Sequence, residues 1–326
     1  MGAEYMAIVR PDASKIKSAA GRLRDAMRML RLIQKDSQIL EKSIKKAADK
    51  LAEEQLSDFL SSLGVEELNR DKRGIRISAL KNAGIENFIQ ESRWIAEESP
   101  DADTALSRAR QRAAGVPLQY LLGTAPFRFL MLKVDSRVLI PRPETETLAQ
   151  WIIDHAPHGG TVLDLGCGSG AIALAVASER PDLEVTAVDI SHDALALAKE
   201  NAALCAVRNV TFIQSSLFDS LPEQRFDFIA ANLPYVTEEE YLQLPDEVRL
   251  YEPKLALTAP DDGLALILAA IAVLPDHLNP GGGAIFELSP EQATRTARAI
   301  TAAGMLPGIL PDLCGRDRFV TGLLPK

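Results

Sequence analysis

Apolar residues recur at intervals of three and four along residues 12–60, with Leu23, Met27, Leu30 and Ile33 followed by Ile39, Ile44, Leu51 and Leu56 among charged neighbours. That spacing gathers the apolar side chains on one face and predicts two or more amphipathic helices. The stretch ISALKNAGIENFIQESRWIAEE, residues 77–98, predicts two short helices interrupted at Gly84, followed by a Ser-Pro-Asp break near residue 100 and a helix at about 102–114. Two hairpin strands are predicted around 127–134, then a loop defined by arginine and proline, then a helix from near Glu146 with Thr145 or Glu144 as its cap. From residue 160 the pattern changes. Short apolar runs at 161–165, 184–188, 210–213, 226–231 and 283–288 alternate with amphipathic segments at 170–179, 192–204, about 261–274 and 290–303, before terminal strand material. Strands separated by helices predict a parallel α/β sheet that binds ligands at the carboxyl ends of its strands. The expected organisation is a helical domain over 1–115, a linker and β-hairpin over 116–140, and an α/β domain over 141–326.

With 326 residues, 47% of them hydrophobic and 25% charged, the chain can bury a substantial core. No uncharged apolar run reaches 18 residues, and the first residues lack the basic, apolar and small-residue succession of a signal peptide, so a cytoplasmic protein with no membrane contact is expected. Cys167, Cys205 and Cys314 are widely separated, and with four histidines they form no metal-binding spacing; neither a metal site nor a disulfide is expected. The net charge of -9 is uneven. Residues 1–90 hold 17 Lys and Arg against 13 Asp and Glu, which leaves -13 on the remainder. That balance argues against the large domain wrapping a nucleic acid backbone.

Three stretches carry the candidate chemistry. TVLDLGCGSGAIALAVA, residues 161–177, sets Asp164 at a strand end and Gly166, Cys167, Gly168 and Gly170 in the turn into a helix. Its spacing is not the GxGxxG of dinucleotide folds. EVTAVDI ends in Asp189, 25 residues further on, a carboxylate at a second strand end that can accept two hydrogen bonds from a ribose diol. The pair fits an adenosine-containing cofactor. FDFIAANLPYVTEEE, residues 226–240, begins as a buried strand and breaks into Asn232, Leu233, Pro234 and Tyr235, groups suited to gripping a planar amide or a nucleobase.

Taken together, these motifs resemble the class I S-adenosylmethionine-dependent methyltransferases. The resemblance implies a Rossmann-like sheet preceded by a smaller helical domain and S-adenosyl-L-methionine as cofactor. It implies that Asp164 anchors the methionine end of that cofactor, that the loop through Gly170 adjoins its carboxylate and sugar, and that Asp189 holds the ribose hydroxyls. In TFIQSSLFDSL, Ser216 stands where relatives often carry an aspartate facing the adenine amino group, with Leu217 and Phe218 placed to line the adenine pocket. The side-chain oxygen of Asn232 and the backbone carbonyl of Pro234 would accept hydrogen bonds from an acceptor NH2 group, with Tyr235 packed against its plane.

The form Asn-Leu-Pro-Tyr is close to that of ribosomal RNA adenine dimethyltransferases, whereas protein glutamine methyltransferases usually have Asn-Pro-Pro-Tyr. The surrounding stretches RARQRAAGVPLQYLLG, VLIPRPETETL, VRLYEPKLAL, DDGLALI and GRDRFVTG resemble the peptide chain release factor glutamine methyltransferase family over roughly residues 75–326. By that resemblance Phe127 lies beside the acceptor pocket, Arg142, Pro143, Glu144 and Thr145 form a loop near cofactor and substrate, and Glu252 and Pro253 support the site. Two departures stand out: Glu287-Leu288-Ser289 replaces the usual Glu-Ile-Gly, and about 70 unfamiliar residues precede a shortened helical domain. The expectation is a monomer that methylates the side-chain N5 of glutamine in a protein, the Gly-Gly-Gln loop of a release factor, which its helical domain recognises. The alternatives are an adenine N6-methyltransferase acting on RNA or DNA, for which nucleic acid contact would be direct, and a non-catalytic ribosome- or factor-binding module.

Overall fold

In the computed structural model, residues 70–326 are described, so the helices predicted over 12–60 lie outside the described residues. The chain divides into two compact units between Ala114 and Gly115. In the described part of the first, helices α1 (Arg70–Asn82), α2 (Phe88–Glu97) and α3 (Ala102–Ala113) pack through Leu80, Ile95, Leu106 and Ala109. The break at Gly84 falls where predicted, with φ of 77° that a residue bearing a Cβ rarely adopts. The helix before it starts earlier than the expected residue 77. Asp101 caps α3 by accepting from the Thr104 amide at 2.7 Å, and the buried Arg112–Glu91 pair, also at 2.7 Å, ties α3 to α2.

The second unit opens with α4 (Leu118–Leu122) and the antiparallel hairpin β1 (Thr124–Phe127) and β2 (Leu130–Lys133). Its turn at Arg128-Phe129 sits in the middle of the hairpin, so the expected 127–134 covered the turn and second strand alone. Asn201 fastens the hairpin to the sheet domain. Its buried amide accepts from the Lys133 amide at 2.7 Å and donates to the Lys133 and Ser169 carbonyls at 3.0 and 2.9 Å.

After α5 (Glu146–His155) come β3 (Thr161–Leu165), α6 (Ala171–Glu179), β4 (Glu184–Asp189), α7 (His192–Leu204), β5 (Val210–Gln214) and β6 (Phe226–Ala231). Two one-turn helices, α8 (Glu238–Tyr241) and α9 (Asp246–Arg249), lead to α10 (Ala265–His277), β7 (Leu278–Glu287), α11 (Ala293–Ala302), β8 (Leu306–Pro311) and β9 (Asp317–Leu323). The helix expected at 261–274 is thus shifted toward the carboxyl terminus, because Asp261 and Gly263 take positive φ and form a turn. The strand expected at 283–288 begins at Leu278, and the helix expected at 290–303 starts with a 3-10 turn over Pro290–Gln292.

The strands form one sheet in the order β5-β4-β3-β6-β7-β9-β8, with β9 alone running against the others. One layer of core, from Leu148 and Ile152 to Leu174 and Val176, fills the side under α5, α6 and α7. The other, including Ile229, Phe286, Ile271 and Ile300, fills the side under α10 and α11. Each such fully buried side chain contributes roughly 1.5–3 kcal/mol relative to exposure. Connections from β3 run one way along the sheet and those from β6 the other. This switch point leaves a crevice above the ends of adjacent β3 and β6.

The register sets the site. Leu165 pairs with Val188 on one side and Ala231 on the other, and Ala231 pairs with Phe286. One residue further along each strand therefore brings Asp189, Gly166, Asn232 and Glu287 to one level at the carboxyl edge, across four neighbouring strands.

Candidate active site

A cavity of about 250 Å³ opens at that edge. Its walls include Gly166, Cys167, Gly168, Asp189, Ser216, Leu217, Asn232, Leu233, Pro234, Arg142, Thr145 and Pro253. Most of the residues singled out from the sequence are therefore brought together. Asp164, Phe127, Phe218 and Tyr235 are not on this wall: Asp164 is 1% exposed, Phe127, also 1% exposed, packs in the core under the hairpin, and Phe218 stacks on His277 with ring centroids 4.2 Å apart. Gly170 heads α6 behind the wall, with φ of 81°.

At the β3 and β4 end, backbone groups do most of the holding. The amides of Gly166 and Cys167 both donate to the Val188 carbonyl at 2.9 Å, which folds the glycine loop over β4. Gly166 has φ of 73°, a conformation that favours glycine, and a Cβ there would press on Leu233 Cδ2 at 3.0 Å. The Asp189 carboxylate accepts from the Gly168 amide at 2.9 Å and the Ser191 amide at 2.8 Å, one on each oxygen. A carboxylate at the cavity wall is an acceptor of the kind a vicinal diol requires. Asp164 is 1% exposed; its Oδ2 accepts from the Ala173 amide at 3.0 Å, while Oδ1 has no partner among the described residues. Burial, with a smaller contribution from the Asp189 charge, pushes the Asp164 carboxyl up to about 7. An orphaned buried carboxylate oxygen calls for a cation or donor. The Cys167 thiol is pushed up by burial and stays a neutral wall group.

Side chains build the β6 and β7 end. Asn232 Nδ2 donates to Thr145 Oγ1 at 3.0 Å, and Thr145 Oγ1 donates to Glu287 Oε2 at 2.7 Å. Thr145 was expected, with Glu144 as the alternative, as a helix cap, and by resemblance in a loop near cofactor and substrate. The 3-10 turn over Pro143–Thr145 runs directly into α5, so Thr145 is already helical and its hydroxyl turns inward instead. The Glu287 carboxyl, 2% exposed, is raised chiefly by burial, and Tyr235 Oη lies 3.5 Å from its Oε1. The Tyr235 phenol is likewise raised, first by burial and then by the Glu287 charge. The Tyr235 carbonyl accepts from Gln292 Nε2 at 3.0 Å, and Gly263, with φ of 80°, lies so close that a Cβ there would collide with it.

Glu252, buried, joins the loop before α5 to the loop after β6: it accepts from the Ile140 amide at 3.0 Å and from Arg142 Nη2 at 2.5 Å. Arg142 is thus held in an ion pair while still facing the cavity. Glu287, Gln292 and Gly263 were not picked out as site residues from the sequence. Glu287 follows a buried apolar run at a strand end, a signal of the kind that located Asp164.

A Rossmann-like sheet with one antiparallel strand, a glycine turn after its first parallel strand and a carboxylate closing the next define a class I methyltransferase. Its cofactor is S-adenosyl-L-methionine, and the residues fit it: Asp164 offers an unpartnered oxygen to an ammonium group and Asp189 two acceptors to a ribose. The methyltransferase small domain family matches residues 143–245. The release factor glutamine methyltransferase of Geobacter sulfurreducens is 37% identical over 262 residues, covering 74% of this chain and 92% of that one. That of Rhodopirellula baltica is 37% identical over 278 residues, covering 82% and 93%. That of Deinococcus radiodurans is 40% identical over 227 residues, covering 69% and 81%. The chain belongs to the release factor glutamine methyltransferase family. No described helix is long and apolar enough to cross a membrane, and no metal-ligand cluster occurs among the described residues.

Proposed function

We propose that this protein transfers a methyl group from S-adenosyl-L-methionine to the side-chain N5 of a glutamine, in the Gly-Gly-Gln loop of a peptide chain release factor. The observation that carries the reading is the Asn232 amide. Its nitrogen is engaged by Thr145, and its Oδ1 accepts no hydrogen bond from the described residues, on a cavity wall shared with Pro234. Two acceptors, Asn232 Oδ1 and the Pro234 carbonyl, match the two N–H bonds of a primary carboxamide.

When bound, the cofactor supplies an electrophilic methyl group on a sulfonium. Asp164 would hold its ammonium, Asp189 its ribose, and Ser216 and Leu217 would border its adenine. Asn232 Oδ1 and the Pro234 carbonyl would accept hydrogen bonds from the two amide N–H groups and so orient the nitrogen. Tyr235 limits tilting of the amide plane. A glutamine nitrogen is a weak nucleophile because its lone pair is delocalised into the carbonyl, so orientation and exclusion of water carry the rate. Methyl transfer would leave a positively charged N-methyl amide, an acid strong enough to give its extra N–H proton to water without a protein base.

Leu233 is the residue that points to an adenine amine instead. The charges around the cavity oppose that reading. Arg137 and Arg142 line it, and each is paired, Arg137 with Asp135 at 2.8 Å and Glu200 at 3.1 Å, Arg142 with Glu252. The segment after Tyr235 carries Glu238, Glu239, Glu240, Asp246 and Glu247. Among the described residues the lining offers a phosphate backbone no unpaired arginine or lysine, whereas nucleic acid binding requires a positive track. The test is transfer of a labelled methyl group to a purified release factor, its Gln→Ala variant and an undermethylated ribosomal RNA. Label in the native factor alone is expected; label in the RNA alone would overturn the reading.

A further inference from the structure

Resting on the glutamine reading, we propose that Glu287 and Thr145 are positioning residues that fix which end of the Asn232 amide faces the acceptor. An asparagine amide has two ends of nearly equal shape, one a donor and one an acceptor, and only the acceptor end can take a proton from an incoming NH2 group. Something must hold the flip. The relay does so by the direction of its hydrogen bonds. While Glu287 is ionised it only accepts, so Thr145 gives its single hydroxyl proton to Glu287 Oε2, 2.7 Å away. Oγ1 is then left as an acceptor and is satisfied by a donor, Asn232 Nδ2, at 3.0 Å. Oδ1 is thereby committed to the cavity.

The other carboxylate oxygen, Oε1, lies 3.5 Å from Tyr235 Oη, so one buried group reaches both side chains that flank the acceptor. Thr145 and Glu287 are 5% and 2% exposed, so the bond between them is buried, while Asn232 carries the relay to the cavity wall. Its polarity is therefore set within the protein.

A glutamine in place of Glu287 reverses the relay without changing its shape. With its oxygen kept toward Tyr235 Oη, its Nε2 donates to Thr145 Oγ1. The threonine proton then goes to Asn232 Oδ1, and the Asn232 amine is turned on the substrate amine. Two donors would face each other.

The experiment compares Glu287→Gln, Thr145→Val and Thr145→Ser with the unsubstituted protein in methyl transfer to the release factor, alongside cofactor affinity and thermal melting. Glu287→Gln and Thr145→Val are expected to lower kcat by about tenfold or more, a cost in keeping with misorientation at a reacting centre. Cofactor Kd should stay within about threefold, and Thr145→Ser should restore most of the rate because it keeps the hydroxyl. The second readout is the side-chain NH2 resonance of Asn232 in 15N-labelled protein without substrate, whose hydrogen-exchange protection should be lost in Thr145→Val. Activity of Glu287→Gln and Thr145→Val within about twofold of the unsubstituted protein, or unchanged protection in Thr145→Val, overturns the relay. If the unsubstituted protein does not label the factor, the glutamine reading fails, and the resonance still decides the relay.

Discussion

The two ends of the cavity are built from different materials. At the β3 and β4 end, a loop of glycines and two carboxylates presents backbone amides and acceptor oxygens whose geometry follows from the strands themselves: Asp189 is held by the Gly168 and Ser191 amides, and Asp164 by that of Ala173. At the β6 and β7 end, Asn232, Thr145, Glu287 and Tyr235 orient one another, and no stretch of backbone would place the Asn232 amide without them. The first construction suits a cofactor of fixed shape. The second suits aiming a reactive nitrogen, where an error in orientation costs rate more than affinity. Binding and aiming are therefore separable by substitution.

The largest expected effect is at Asn232. Asn232→Ala removes the acceptor proposed to act on the reacting group, and turnover should fall by about 10³-fold, measured in single-turnover label transfer. Calorimetry on the same variant should give a cofactor Kd within about threefold of the unsubstituted value. At the other end, Asp189→Ala removes two charge-assisted hydrogen bonds and should weaken cofactor binding by roughly 10–100-fold. Its kcat at saturating cofactor should return to within about threefold, since nothing at the acceptor end has moved.

A third expectation concerns pH. Burial raises the Asp164 carboxyl to about 7 in the protein without cofactor, so below that pH the group is protonated and must release its proton before an ammonium can bind. Cofactor affinity should fall about tenfold per unit as pH drops below about 7 and level off above it. Proton release should appear as a dependence of binding enthalpy on buffer. For the protein without cofactor the sign is opposite: the folded state holds this proton more tightly than the unfolded chain, so this group's contribution to stability is greatest in acid and is lost as pH rises through about 7. Asp164→Asn should remove both trends. The smallest effect is expected at Ser216, which lines the cavity without a charge. Ser216→Asp should tighten cofactor binding by a few-fold if the position faces an adenine amine, as a charged acceptor is stronger than a hydroxyl.

The same contrast decided what could be read from the sequence. Asp164, Gly166 and Asp189 announce themselves because each lies at the end of an apolar run and acts within a few residues of its own strand. Asn232 was visible for the same reason. Resemblance set Thr145 in a loop near the site, but from the residues alone it was read as a possible cap, because its partners, Asn232 and Glu287, lie 87 and 142 residues further along the chain and only the strand order brings them together. Phe127 carries an aromatic side chain in the expected neighbourhood, yet the turn after it at Arg128-Phe129 sends it into the core. The start of β7 was missed because Asn279-Pro280-Gly281-Gly282-Gly283 has the composition of a turn. Leu278 nonetheless pairs with Phe226, and tertiary pairing overrides a weak intrinsic preference.

The separation of the two ends is tested most directly by the double variant Asp189→Ala, Asn232→Ala, measured for cofactor Kd by calorimetry and for kcat at saturating cofactor. The double variant should bind cofactor as Asp189→Ala alone does and turn over as Asn232→Ala alone does, each within about threefold, because independent sites add. A double variant whose Kd or kcat departs from those values by tenfold would mean that the two ends act as one unit and would contradict the division between binding and aiming.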